Sequence, residues 1–202
     1  MIHSTELHRA GFLIQRTGVV CGNYGMTDYE SYCLIADNAE PCGILRVAVS
    51  TEIDNERSGI EVAQELFDDA DACDDDSVRA ARAIAGSMES SPEFFKTLMS
   101  CMNWSHIDYC FVDKEHRGQG IGALFVLAWM ETYAPQHFIT AIPELAAPKL
   151  VRYWKEKAGF TPVDESDPSG VAYRVSPNGV HPEWVSVLNY RIGEHKEAVH
   201  SE

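Results

Sequence analysis

The stretch from 107 to 133 limits what this chain can fold into more than any other. Ile107-Asp-Tyr-Cys-Phe-Val-Asp113 is rich in β-branched and aromatic residues and reads as a buried strand. A charged turn follows, Lys114-Glu-His-Arg117, and then three glycines at alternate positions, Gly118, Gly120 and Gly122. From Ala123 to Tyr133 there is neither proline nor glycine, and Leu124, Leu127, Ala128 and Met130 supply apolar positions, so this part reads as a helix. Glycines between a strand and a helix allow positive φ and let a ligand approach bare peptide N–H groups. The first-turn N–H groups of the helix lack intrahelical acceptors, and the helix dipole favours an anion there. Strand, glycine turn and helix together predict a phosphate cradle.

Three kinds of cradle share this plan. A P-loop ends in Gly-Lys-Ser/Thr, whereas Gly122 is followed by Ala123-Leu124. A dinucleotide fingerprint is formally met by Gly118, Gly120 and Ala123, but its glycines follow the strand almost directly, and here the charged segment 113–117 intervenes. The third pattern, Arg/Gln-x-x-Gly-x-Gly/Ala, is met by Arg117, Gly120 and Gly122. With Val112 to His116 in front of it, the segment resembles the acyl-coenzyme A loop of the GNAT superfamily of N-acetyltransferases.

The 202 residues suit a single domain with a full core, expected over 1–193 with a tail at 194–202. A net charge of −15 argues against general binding to nucleic acid or anionic membrane, which needs a basic face. It is compatible with a cationic substrate drawn in by the field. No apolar run of about eighteen residues is present, so no membrane span is expected. The first residues lack the basic and apolar regions of a signal peptide. Six cysteines show neither a Cys-x-x-Cys pair nor zinc spacing and read as reduced thiols of a cytoplasmic protein.

Taken in order, residues 1–50 read as β structure. Ala10 to Gln15 and Gly18 to Cys21 are short strand candidates, and Tyr29–Ala36 with Cys42–Ser50 form an antiparallel hairpin. Residues 52–104 read as an acidic helical insertion. Ser58-Gly-Ile-Glu61 has capping-box spacing, and a later helix opens at Ser90-Ser91-Pro92-Glu93. The acids at 74–76 between these helices lack the glycine and distal glutamate of a calcium loop, so no metal is expected. They read as a solvated loop, or as an acidic approach for an amine. After the central strand and helix come a strand from His137, a helix from Ala147-Pro148 ending at Gly159, and strands from Phe160, Val171 and Trp184. Gly159 is placed as a left-handed C-cap.

The helix carrying aromatic residues and ending Ala158-Gly159-Phe160 is a second point of similarity to the GNAT superfamily. The resemblance implies an α/β fold of the acyl-CoA N-acyltransferase type: a mixed, mostly antiparallel sheet flanked by helices. It implies that Cys110, Phe111 and Val112 pair with the pantetheine arm of acetyl-CoA. It further implies that amides of Gly118, Gln119, Gly120, Ile121, Gly122 and Ala123, with Arg117, hold the pyrophosphate. Strand alternation puts positions 106, 108, 110 and 112 on one face, which makes His106 and Asp108 candidates for the general base; a water-mediated base is the alternative. Tyr153 is the candidate general acid, although it stands further from Gly159 than the resemblance predicts, and an extra residue in the turn would reconcile the two. Two further departures are noted. The usual helices between the first two strands are replaced by a β-rich region, and no asparagine occurs between Glu144 and Pro148.

The expected activity is acetyl transfer from acetyl-CoA to a small cationic amine or a protein amino group, by direct attack in a ternary complex. A non-catalytic acyl-CoA-binding regulatory module on the same fold is the alternative, and a homodimer is compatible with either.

Overall fold

A computed structural model describes residues 2–21, 28–49, 79–80, 83–84, 86–87, 91–99, 101, 103–135, 137–143, 148–167 and 170–176. The acidic residues at 74–76, the helix expected from Ser58 and the strand expected from Trp184 lie outside these residues. The frame is a seven-stranded sheet of β1 (Phe12–Cys21), β2 (Asp28–Ala36), β3 (Pro41–Val49), β4 (Asn103–Val112), β5 (His137–Ala141), β6 (Thr161–Pro162) and β7 (Ala172–Val175). Their spatial order is β1-β2-β3-β4-β5-β7-β6. Every neighbouring pair is antiparallel except β4 and β5. A parallel pair needs a crossover, and the helix from Ile121 to Tyr133 supplies it.

Helix α1 (Ile2–Arg9) is a correction to the expected β structure of residues 1–50. Its amphipathic signal is weak, because Leu7 is its only buried side chain while Ile2 is 69% exposed. Much of what anchors it comes from a distant residue. The Glu131 carboxylate accepts the His3 and Ser4 amides at 2.9 and 3.2 Å, satisfying first-turn donors that the helix cannot satisfy itself. The two short strands expected over 10–21 are one strand, β1, with an irregularity between Arg16 and Gly18. The β2–β3 hairpin forms as expected.

Helix α2 (Pro92–Met99) opens on a serine cap, but the cap is Ser91, whose hydroxyl accepts the Phe94 amide at 3.3 Å. Helix α3 (Ile121–Tyr133) follows the glycine loop. Helix α4 (Pro148–Arg152) continues as a π-helical turn over Tyr153–Lys157.

The sheet is covered on both faces. On one, α1, α3 and the π turn bury Leu7, Leu34, Leu45, Val47, Ile107, Phe125, Trp129, Ile139 and Trp154 in one cluster. On the other, Ala80, Ile84, Phe94 and Leu98 from the insertion pack on Trp104, Phe138 and Val171. Thus at least this part of the insertion is a lid on the β4–β5 half of the sheet. Cys33, Cys42, Cys101 and Cys110 form no disulfide. No described helix is long and apolar enough to cross a membrane.

Candidate functional site

The site is built around the second half of β4. On its β5 side, β4 is paired only from Asn103 to Ile107, because β5 ends at Ala141 opposite Ile107. On its β3 side, pairing continues to Val112. Residues 108–112 therefore carry one strand neighbour, not two, among the described residues.

The backbone direction follows from two contacts. The Asp113 amide donates to the Cys42 carbonyl at 2.8 Å, and the Phe111 carbonyl lies 2.9 Å from where a Gly43 β-carbon would stand. Phe111 and Asp113 thus turn their main-chain groups toward β3. Alternation sends those of Cys110 and Val112 to the side that β5 has left. Of the three residues expected to pair with an extended ligand, Cys110 and Val112 have the required direction and Phe111 does not. Arg117 Nε already donates to the Val112 carbonyl at 2.6 Å, with its guanidinium carbon 4.8 Å from the centre of the Phe111 ring.

A β-bulge interrupts the strand at the same place. Val47 stands opposite Ile107 and Arg46 opposite Tyr109, so Asp108 is the extra residue. This corrects the expected common face of 106, 108, 110 and 112. Cys110 and Val112 belong to the cluster under α3. His106 lies on the other face with Trp104, where both reach the Thr140 hydroxyl at 2.9 Å. The Asp108 carboxylate is taken by the Arg46 guanidinium.

The loop has the conformation its glycines predict. A 3₁₀ turn over Lys114–His116 leads to Gly118 at φ 79° and Gly120 at φ 82°, the latter as N-cap of α3. A β-carbon at either glycine would meet nothing within 4 Å, so glycine serves here for backbone angle and leaves open space above the loop. Gly120 has no side chain to cap the helix, and the first intrahelical bond runs from the Leu124 amide to the Gly120 carbonyl at 3.0 Å. The amides of Gly120, Ile121, Gly122 and Ala123 consequently remain for a ligand or water.

Tyr153 closes the arrangement. A β-carbon on Gly122 would stand 3.3 Å from its hydroxyl and 3.6 Å from Val112 Cγ2. The phenol thus lies where the first turn of α3 meets the end of β4. Its hydroxyl is shielded and makes no hydrogen bond of sound geometry among the described residues. Burial first, and then the neighbouring Cys110 thiol, raise its pKa well above the ordinary phenol value, so it stays protonated at neutral pH. Burial pushes the Cys110 thiol up to about 12, which keeps it a thiol and not a nucleophilic thiolate.

The π turn accounts for part of the spacing of Tyr153 from Gly159. The Ala158 amide reaches back five residues to the Tyr153 carbonyl at 3.0 Å, which inserts a residue relative to an α turn. Gly159, at φ 70°, then ends the helix as expected. A concavity of about 600 Å³ lies beyond it, lined by Lys155, Gly159, Phe160, Thr161, Pro162 and Glu165, and includes none of the loop residues.

Cys110, Val112, the glycine loop and Tyr153 are thus brought together. His106 and Asp108 are near in sequence but committed to Thr140 and Arg46. Neither of those partners carries a local sequence signal, since each sits on a neighbouring strand. Among the described residues no group of three or more His, Cys, Asp or Glu side chains could hold a metal ion. No known protein family matches the chain, and no curated protein matches it.

Proposed function

We propose that this chain is an acetyl-CoA-dependent N-acetyltransferase with a fold of the acyl-CoA N-acyltransferase type. One observation carries the reading: the half of β4 that has lost β5 runs into a helix N-terminus, with the protonated, shielded phenol of Tyr153 at the junction. That is what an elongated donor with a phosphate at one end and a thioester at the other requires. The pantetheine amides add to the free edge at Cys110 and Val112. The pyrophosphate meets the amides of Gly118 to Ala123, with Arg117 nearby. A cytoplasmic setting belongs to the same reading and is supported by the free thiols.

The chemistry follows from the protonation states. The acceptor amine attacks the thioester carbonyl carbon, the C–S bond breaks, and the departing thiolate takes a hydrogen bond or a proton from Tyr153. Cys110 remains a thiol, so a covalent acyl-enzyme through it is disfavoured and direct transfer is the simpler route. The acceptor is an amine on a small cation or on a protein, and the −15 charge favours the former.

The test is release of free coenzyme A from acetyl-CoA across a panel of polyamines, aminoglycosides and peptide amines. Turnover of at least one class is expected. Tyr153→Phe should then lower kcat by roughly ten- to a hundredfold, at the low end of the general-acid range, with donor affinity unchanged. Tight coenzyme binding without turnover of any amine would instead favour a non-catalytic regulatory module.

A further inference from the structure

The buried contact between β4 and β5 decides what His106 can do. Trp104, His106 and Thr140 are 2%, 1% and 0% exposed, and both aromatic side chains reach the same threonine hydroxyl at 2.9 Å. The indole N–H can only donate, so Thr140 Oγ1 accepts from Trp104 Nε1. The hydroxyl has one proton of its own. Among the described residues its side-chain partners are Trp104 and His106, so the acceptor for that proton is His106 Nδ1. A neutral imidazole that accepts at Nδ1 carries its proton at Nε2. The opposite tautomer would leave the Thr140 proton buried without an acceptor, at the expense of a full hydrogen bond.

We propose that Thr140 is a positioning residue that holds His106 as the Nε2–H tautomer, so that His106 is a hydrogen-bond donor and not the general base. The lone pair a base needs is the one the threonine occupies. Ala48 stands opposite His106 on β3 and Thr140 opposite it on β5. The proton lost by the attacking amine then goes to water. The part of this proposal that concerns turnover rests on the acetyltransferase reading; the tautomer does not.

The test uses the full chain labelled with ¹⁵N-histidine, with the His106 signals assigned by their loss in His106→Gln. At neutral pH the His106 resonances should show a protonated Nε2 and an unprotonated Nδ1. Thr140→Ser should preserve that pattern, and Thr140→Val should replace it with a tautomer mixture. A protonated Nδ1 in the parent protein overturns the proposal. Turnover gives a second readout. General-base removal typically lowers the rate about a hundredfold or more, so His106→Gln, at a residue that is not the base, should lower turnover less than about tenfold. A loss of about a hundredfold or more in a folded His106→Gln protein overturns the proposal. If the parent turns over no amine, the acetyltransferase reading fails, and the spectrum still decides the tautomer.

Discussion

The two halves of β4 belong to one strand and do opposite work. From Trp104 to Ile107 the side chains are 2%, 0%, 1% and 4% exposed, and from Ser105 to Ile107 β3 lies on one side and β5 on the other. From Asp108 onward β5 is gone and Tyr109 is 47% exposed. Its ring lies parallel to that of Phe111 at 6.3 Å. The polar groups differ in the same way. The hydroxyls of Ser105 and Thr140 are bonded inside the paired half: the Ser105 hydroxyl meets His137 Nδ1 at 2.7 Å, and Thr140 meets Trp104 Nε1 and His106 Nδ1. In the other half, main-chain groups of Cys110 and Val112 face a side without a strand, and the Tyr153 hydroxyl awaits a partner. The paired half holds the fold together, and the unpaired half supplies the binding groups, because the same hydrogen-bonding capacity cannot be spent on both.

The largest test of this division falls on the paired half. Trp104 packs on the insertion's Phe94 and Leu98 and donates to Thr140. Trp104→Ala removes a buried ring and orphans part of that network, so a loss of about 3–5 kcal/mol is expected in denaturant unfolding. Tyr109→Ala, five residues along the strand, should stay within about 0.5 kcal/mol. Similar losses from the two would erase the distinction.

A smaller effect comes from pH. Burial lowers the His137 pKa from 6.5 to about 4. The unfolded chain therefore binds this proton at a higher pH than the folded one. The associated stability is fully present above about pH 6.5 and is lost as pH falls through about 4. The span corresponds to about 2–3 kcal/mol, allowing for partial solvent access. Unfolding midpoints measured across that window should show a slope that His137→Asn flattens. An unchanged slope would mean that the paired half is not as dry as its burial implies.

How much of this was legible in the chain depends on how far each feature reaches. The strand, glycine loop and α3 were readable because periodicity and positive-φ glycines are local signals, and Gly159 ended its helix for the same reason. The bulge was not readable. Asp108 becomes the extra residue only through its register with Arg46 and Val47, more than sixty positions away. One such residue reverses the faces beyond it, which is why His106 does not join Cys110 and Val112. Helix α1 was missed because Glu131, over a hundred residues distant, holds its first turn. Tyr153 came within reach of the loop through a π turn, and spacing alone showed only that it stood too far from Gly159.

The smallest expected effect separates backbone geometry from ligand contact at the glycines. Gly120 sits at φ 82° with open space where a β-carbon would go. Gly120→Ala should therefore cost about 1 kcal/mol of stability through backbone strain alone, with no clash to relieve. Strain present in both free and bound protein does not change affinity. A weaker affinity for coenzyme A in this variant, beyond what Gly18→Ala produces, would report a ligand approaching the loop where the added methyl stands. Gly18 is the right comparison, because it too has nothing within 4 Å but lies on β1 without a positive φ. If calorimetry finds coenzyme affinity equally unaffected in both, the loop is a turn that uses glycine for its angles, and the free half of β4 has lost the phosphate end of its proposed ligand.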